Sequence, residues 1–118
     1  MMRVRQQKVI AALKREISNI VHNELKDRRL GFVTIMSVEL SDDFKFAKVY
    51  FSVLAGEKEQ KATQKVLKHA TPYIRFILGQ RVQLRYNPEI LFKLDRSVEY
   101  SIKIQKEIDE IKEQNEPR

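Results

Sequence analysis

The fold class is decided in residues 46–70, FAKVYFSVLAGEKEQKATQKVLKHA, where the spacing of apolar side chains changes. At the start of this stretch Ala47, Val49 and Phe51 alternate with polar residues, a spacing that puts them on one face of a β-strand. From Glu57 onward apolar side chains recur every three or four residues, as on one face of a helix. A half-buried strand followed by an amphipathic helix predicts an α+β fold in which helices pack on a sheet.

The chain before this stretch predicts one helix and one more strand. Arg3 to Lys26 carries apolar side chains at helical spacing, and Gly31 can end that helix in a left-handed conformation. Phe32 to Leu40 is rich in β-branched and apolar residues, which favour a strand. Because Ser41-Asp42-Asp43 is a turn signal, the two strands are predicted to form a β-hairpin with one buried face.

A proline interrupts the helical pattern that begins at Glu57 and continues to Leu78. Proline has no backbone N–H, and its ring clashes with the preceding helical turn. The sequence therefore predicts two helices that meet at a kink formed by Ala70, Thr71 and Pro72.

The third strand is predicted from two extended segments, Val82 to Tyr86 and Glu89 to Leu94. Asn87-Pro88 separates them, so we expect this strand to be interrupted or to lie partly at a sheet edge. Asp95 or Ser97 can cap a last helix. That helix is predicted to turn these side chains towards the core: Tyr100, Ile104, Ile108 and Ile111.

The length of 118 residues suits one domain with its own core and leaves no room for a second. We expect a single domain over residues 1–112, with a three-stranded sheet and its helices on one face. Residues 113–118 are predicted to be a frayed C-terminal tail.

The composition excludes several kinds of chemistry. The chain has no cysteine, and therefore no disulfide, thiolate zinc site or cysteine nucleophile. His22 and His69 lie on different predicted helices without a second ligand at metal-binding spacing. The three glycines are too far apart for a phosphate-binding loop. We therefore expect no enzymatic activity, no cofactor and no metal.

The N-terminal residues never build the apolar run of a signal peptide, and no stretch is long enough to span a bilayer. We expect a cytoplasmic monomer without membrane association.

Positive charge is concentrated in two segments of the chain. The formal net charge is +7, and residues 1–29 hold eight basic and three acidic residues, while residues 57–85 hold seven and two. Many of these basic residues fall on helix faces opposite the apolar stripes, so they either solvate a surface or bind phosphates. A solvating surface usually mixes its signs, which favours phosphate binding. The candidate RNA-binding residues are Arg5, Lys8, Arg15, Lys61, Lys65, Lys68, Arg75, Arg81 and Arg85. Tyr50 and Tyr86 are candidates for base stacking, or simply cover a sheet edge.

Several segments, taken in order, resemble the bacterial ribosome-binding factor A family over nearly the whole chain. Residues 27–35, DRRLGFVTI, look like that family's Asp-Pro-Arg-hydrophobe-Gly element and first strand, and residues 47–54, AKVYFSVL, like its second. The most recognisable stretch comprises Tyr73-Ile74-Arg75, Leu84-Arg85, Pro88-Glu89-Ile90-Leu91-Phe92 and Asp95.

The resemblance implies a type II KH-like fold with the order α-β-β-α-kink-α-β plus a C-terminal helix. In that family a helix, kink and helix bearing Ala-x-Gly replace the usual Gly-x-x-G loop, and Ala70-Thr71-Pro72 occupies its place. Two residues depart from the family pattern: Arg28 stands where Pro is common, and Pro72 stands in place of Gly. Arg75, Arg81 and Arg85 are implied to lie on the RNA-facing side.

The resemblance also implies a function. The family binds the small (30S) ribosomal subunit and its 16S rRNA, assists late maturation including processing of the 16S rRNA 5′ end, supports growth in the cold, and is not enzymatic. The implied partners are 16S rRNA and free small subunits, with nearby ribosomal proteins and assembly GTPases. Two alternatives stay open from the residues: a KH-like protein-interaction adaptor without direct RNA contact, and a basic DNA-binding domain, which no helix-turn-helix signature supports.

Overall fold

The computed structural model of the chain describes residues 4–30, 33–96 and 105–112. Helix α1 (Val4–Asn19) continues into one π-helical turn at Ile20–Glu24. After a short 3-10 turn come strand β1 (Val33–Leu40), strand β2 (Phe46–Val53), helix α2 (Glu57–Arg81) and strand β3 (Glu89–Leu94). Residues 105–112 are also helical. None of the described helices has the length and apolar composition needed to cross a bilayer.

The three strands form one mixed sheet in the order β1-β2-β3. Strand β1 pairs antiparallel with β2, as expected for a hairpin, and β2 pairs parallel with β3. A parallel pair needs a long crossover connection, and α2 provides it. The predicted α+β fold with a three-stranded sheet is confirmed.

The core lies between the sheet and the two helices. Fully buried side chains come from α1 (Leu13, Ile17), from β2 (Val49, Phe51) and from α2 (Leu67, Ile74, Leu78). The Phe51 and Phe92 rings meet edge to face, with centroids 6.3 Å apart. On the opposite sheet face, Phe46 and Leu91 are 54% and 53% exposed. In the described part of the chain, the helices therefore cover one face of the sheet, as the sequence predicts.

Residues 57–81 form one helix rather than the two predicted. Pro72 lies inside it, and the Thr71 hydroxyl donates a 2.8 Å hydrogen bond to the Leu67 carbonyl one turn earlier. The carbonyl that loses its helical donor to Pro72 belongs to Lys68, an exposed residue where water can take the donor's place. A bend at Ala70, Thr71 and Pro72 stays a prediction.

Two details of the C-terminal half differ from expectation. Only Glu89–Leu94 forms the third strand, because residues 82–88 form a loop against α1 and α2 instead.

The last helix is the second difference. Ile108 and Ile111 are 41% and 56% exposed, so the prediction that they face the core is wrong. Helices α1 and α2 already fill the covered face of the sheet. Ser97, Tyr100, Ile104 and the predicted tail at 113–118 lie outside the described residues.

Replacing Phe51 tests the placement of the core. We expect Phe51→Ala to lower the free energy of unfolding by about 3–5 kcal/mol, since it leaves a cavity beside Phe92. Phe46→Ala, on the same strand but on the open face, should cost less than about 1 kcal/mol. Urea denaturation measures both, with Phe51→Leu as a milder variant if Phe51→Ala does not fold. Equal losses at positions 46 and 51 would contradict the one-sided core.

Candidate nucleic-acid interface

The exposed face of α2 carries a row of lysines. Lys61, Lys65 and Lys68 are exposed, while Leu67, Ile74 and Leu78 on the other side of the helix are fully buried. No acidic residue occurs in the sequence between Glu59 and Glu89. Charges of one sign on a rigid element raise the local potential, so this face attracts polyanions.

A groove runs beside this row, between α2 and the end of the first helical segment. It encloses about 470 Å³ and is lined by Leu25, Asp27, Lys65, Val66, His69 and Ala70. Its floor is largely apolar, and Lys65 and His69 stand at its α2 side. Asp27 contributes a negative charge at the opposite side.

A second group of basic residues gathers at the start of α1. Arg5 and Arg85 line one cavity of about 280 Å³, together with Asp43, Phe44 and Tyr86. Lys8 lines a neighbouring groove against Val82, Gln83 and Leu84. The fold therefore brings Arg85 close to Arg5 and Lys8, although Arg85 is far from both in sequence.

Tyr86 is a contact point for two cations. Lys45 Nζ lies 5.8 Å from the centroid of its ring, and Arg85 Cζ lies 5.6 Å from it. Such distances are typical of cation–π contacts. Tyr86 is 45% exposed, so it helps to position Lys45 and Arg85 at the surface. Sequence reasoning missed Lys45, because only the hairpin geometry brings it to Tyr86.

The hairpin turn fixes the backbone around Lys45. The Ser41 hydroxyl donates to Asp43 Oδ1 (2.6 Å), the Lys45 amide donates to the same oxygen (3.0 Å), and Phe44 has a positive φ of 63°. These hydrogen bonds hold the pKa of the Asp43 carboxyl below its usual value, and the bond from Ser41 has the larger effect. Asp43 is therefore a turn-forming residue, as its position in the sequence suggests.

Arg75, which is half-buried, forms hydrogen bonds within the protein. Its Nε donates to the Pro88 carbonyl and its Nη2 to the Asn87 carbonyl, both at 3.0 Å, while Asn87 Nδ2 donates to the Arg75 carbonyl at 2.9 Å. A Cβ at Gly79 would lie 3.3 Å from Asn87 Nδ2, so glycine allows this close approach. Arg75 therefore fastens the loop that carries Arg85 and Tyr86 to α2.

Three other polar residues of the predicted basic faces also have protein partners. Arg81 donates to and forms an ion pair with Glu24. Arg15 Nε lies 3.5 Å from Glu16 Oε1, although the Arg15 side chain is 73% exposed. His22 Nε2 donates a 2.7 Å hydrogen bond to the Val33 carbonyl, which connects the end of the first helical segment to β1. The roles of Arg15, Arg75 and Arg81 in RNA binding stay predictions.

The other tyrosine considered for stacking, Tyr50, lies on the open sheet face. Its hydroxyl donates a 3.3 Å hydrogen bond to Glu39 Oε2. Desolvation, followed by the nearby Glu39 charge, raises the pKa of Tyr50 above its usual value.

Two exposed aromatic residues of α2, Tyr73 and Phe76, were not identified from the sequence. Their helical spacing next to Lys65 and His69 was the sequence feature that could have identified them.

Within the part of the chain described, no group of His, Asp and Glu could hold a metal ion.

Comparison with protein families gives one match of nearly full length. A family model described as ribosome-binding factor A matches residues 5–108. Ribosome-binding factor A of Halothermothrix orenii is 44% identical over 116 residues, covering 98% of this chain and 95% of that protein.

Solved structures agree with the sequence comparison. The crystal structure of ribosome-binding factor A from Thermus thermophilus is 27% identical and superposes with a TM-score of 0.70, covering 77% of this chain and 97% of that one. A homology model of the Thermus thermophilus factor, fitted into a cryo-EM map of a 30S complex, is 29% identical with a TM-score of 0.63. It covers 74% of this chain and 91% of that one.

Substitution of Arg75 tests its positioning role. We expect Arg75→Met to lower the free energy of unfolding by about 1–3 kcal/mol, because two backbone carbonyls lose a charged donor. Lys68→Met removes the same charge from an exposed position and should change stability by less than about 0.5 kcal/mol. Urea denaturation compares the two. If both variants were as stable as the wild type, Arg75 would not hold the 82–88 loop.

Proposed function

Because the chain belongs to the ribosome-binding factor A family, we propose that it binds the small (30S) ribosomal subunit through 16S rRNA. It assists late maturation of that subunit, including processing of the 16S rRNA 5′ end, and supports growth in the cold. Membership of this family makes it a non-enzymatic assembly factor. It acts by binding.

One observation carries the RNA contact: the exposed face of α2 has Lys61, Lys65 and Lys68, and the helix itself contributes no acidic residue from Gln60 to Arg81. Each phosphate that a lysine neutralises releases condensed counterions, and this release supplies much of the affinity. Phosphate contacts position a protein without reading sequence. Specificity then comes from the folded shape of the rRNA.

A second basic group supplies further phosphate contacts. Arg5, Lys8 and Arg85 lie around neighbouring cavities, and Lys45 joins them through Tyr86. Arg75 supports this group indirectly, since its hydrogen bonds hold the loop that carries Arg85. We assign phosphate contacts first to the lysines of α2 and to Arg5, Lys8 and Arg85. Arg15, Arg75 and Arg81 contribute charge from positions already bound to other groups.

We further propose that residues 1–112 act as one ribosome-binding domain, as a monomer in the cytoplasm. Ribosomal proteins and assembly GTPases near the binding position are its further partners. Residues 4–30 and 33–96 of this domain share one core, so the two basic groups keep a fixed spacing.

An adaptor function is the second candidate, and the open sheet face supports it. Phe46 and Leu91 are more than half exposed there on neighbouring strands. An adaptor keeps its partner after ribonuclease digestion of a pull-down, whereas an rRNA-binding factor loses its partner.

Charge reversal on α2 tests the RNA contact. We expect the combined Lys61→Glu, Lys65→Glu and Lys68→Glu variant to bind 30S subunits on the order of a hundredfold more weakly, because three attractive contacts become repulsive. Co-sedimentation with purified subunits measures this, and the wild-type affinity should fall steeply with salt.

A matched control reverses three exposed lysines elsewhere. Lys93→Glu, Lys106→Glu and Lys112→Glu change the net charge by the same amount, and none of these three lysines belongs to α2. They should retain most of the binding. Wild-type affinity in the folded α2 variant, or an equal loss in both variants, would contradict the assignment of the RNA contact to α2.

A further inference from the structure

Two aromatic side chains continue the lysine row of α2 towards its C-terminal end. Tyr73 is 49% exposed and Phe76 is 63% exposed, whereas the neighbouring Ile74 and Ile77 are buried. The two rings therefore belong to the outer face of the helix and not to the core. In a helix, residues three apart are neighbours on the surface.

The rings and the cations form one continuous row. Lys61, Lys65, His69 and Tyr73 are each separated by four residues, and Phe76 follows three residues later. At 1.5 Å per residue the row is about 22 Å long. We call these five residues the α2 row. All five are exposed, and the helix that carries them is fixed by its buried face.

Within the described part of the chain, neither ring has a protein partner of the kind that Tyr86 and Tyr50 have. Tyr86 contacts Lys45 and Arg85, and Tyr50 donates to Glu39. Among residues 4–30, 33–96 and 105–112, Tyr73 and Phe76 make no ring–ring or cation–ring contact. Because about half or more of each residue is exposed, a planar group from outside can reach the rings.

The charge around the rings selects the kind of partner. Lysines at one end of the α2 row bind phosphates, and aromatic rings at the other end can stack on bases, which together suit single-stranded nucleic acid. A paired base in a duplex is already stacked and hides both of its faces. A basic protein surface would be repelled by the same lysines.

We propose that Tyr73 and Phe76 stack on unpaired bases of the bound RNA, so that the α2 row recognises a single-stranded segment of rRNA. This inference rests on the proposed function and adds a contact with base faces to the phosphate contacts. The ring pair gives the otherwise sequence-blind surface a preference for unpaired over paired RNA.

A tryptophan at position 76 reports stacking directly. The chain contains no tryptophan, so the full-length Phe76→Trp variant has a single indole fluorophore. We expect a short oligouridylate to quench its fluorescence. An abasic oligonucleotide with the same number of phosphates should bind through the lysines and leave the fluorescence nearly unchanged. Equal quenching by both would overturn the proposal, because it would report phosphate binding alone.

Alanine variants measure the contribution of each ring. Tyr73→Ala and Phe76→Ala should each weaken oligouridylate binding about tenfold and leave binding of an RNA duplex and the salt slope unchanged. Tyr73→Phe and Phe76→Tyr keep a ring and should keep the affinity. Leu91→Ala, an exposed apolar residue on the open sheet face, is the matched control and should have no effect.

The outcomes separate this inference from the proposed function. If both alanine variants bind oligouridylate like the wild type, or if the wild type does not bind it, stacking is overturned while binding to 30S subunits can persist. If the alanine variants bind RNA normally but lose 30S subunits, the rings contact a protein and stacking is again overturned. Loss of 30S binding in the lysine variant alone bears on the proposed function.

Discussion

The parallel pairing of β2 with β3 is the constraint on which the rest of the structure depends. A parallel pair forces the chain to cross the sheet between the two strands, and a long helix is the usual way to do so. Here α2 provides 25 residues for that crossing and buries Leu67, Ile74 and Leu78 against the sheet. The outer side of α2 must then face solvent along its whole length. The surface proposed to bind RNA is therefore the outer side of a structural requirement.

The return from α2 to β3 explains why one basic residue differs from the others. The loop at residues 82–88 has to fold back against α2 before β3 begins, and its Asn87 and Pro88 carbonyls need donors. Arg75 supplies them, and Gly79 leaves room for Asn87. Charge at position 75 is thus used within the fold. Its effect on binding would pass through the loop that presents Arg85 and Tyr86.

Periodicity predicted the elements well because it reports burial directly. The alternation at Val49 and Phe51 and the helical spacing through Leu67 and Ile74 both appear in the core. Partners of charged side chains were not predictable, since the contacts of Arg75 with Asn87 and of Arg81 with Glu24 depend on the tertiary fold. The apolar spacing of Ile108 and Ile111 predicted a core contact, but α1 and α2 already cover that sheet face. The helical spacing that puts the lysines on one face of α2 also puts Tyr73 and Phe76 there. Their exposure could be established only once the orientation of α2 on the sheet was known.

Rigidity connects the fold to the kind of recognition it can achieve. Lysine side chains are long and flexible, so phosphate contacts alone tolerate many arrangements of the RNA. Aromatic rings have few rotatable bonds, and on a helix with a buried face the backbone restricts each ring to a few positions. In the α2 row the flexible charges precede the rigid rings along one helix. Such an order lets electrostatic attraction act at long range while the rings define where an unpaired base can sit, and both depend on the same buried face of α2.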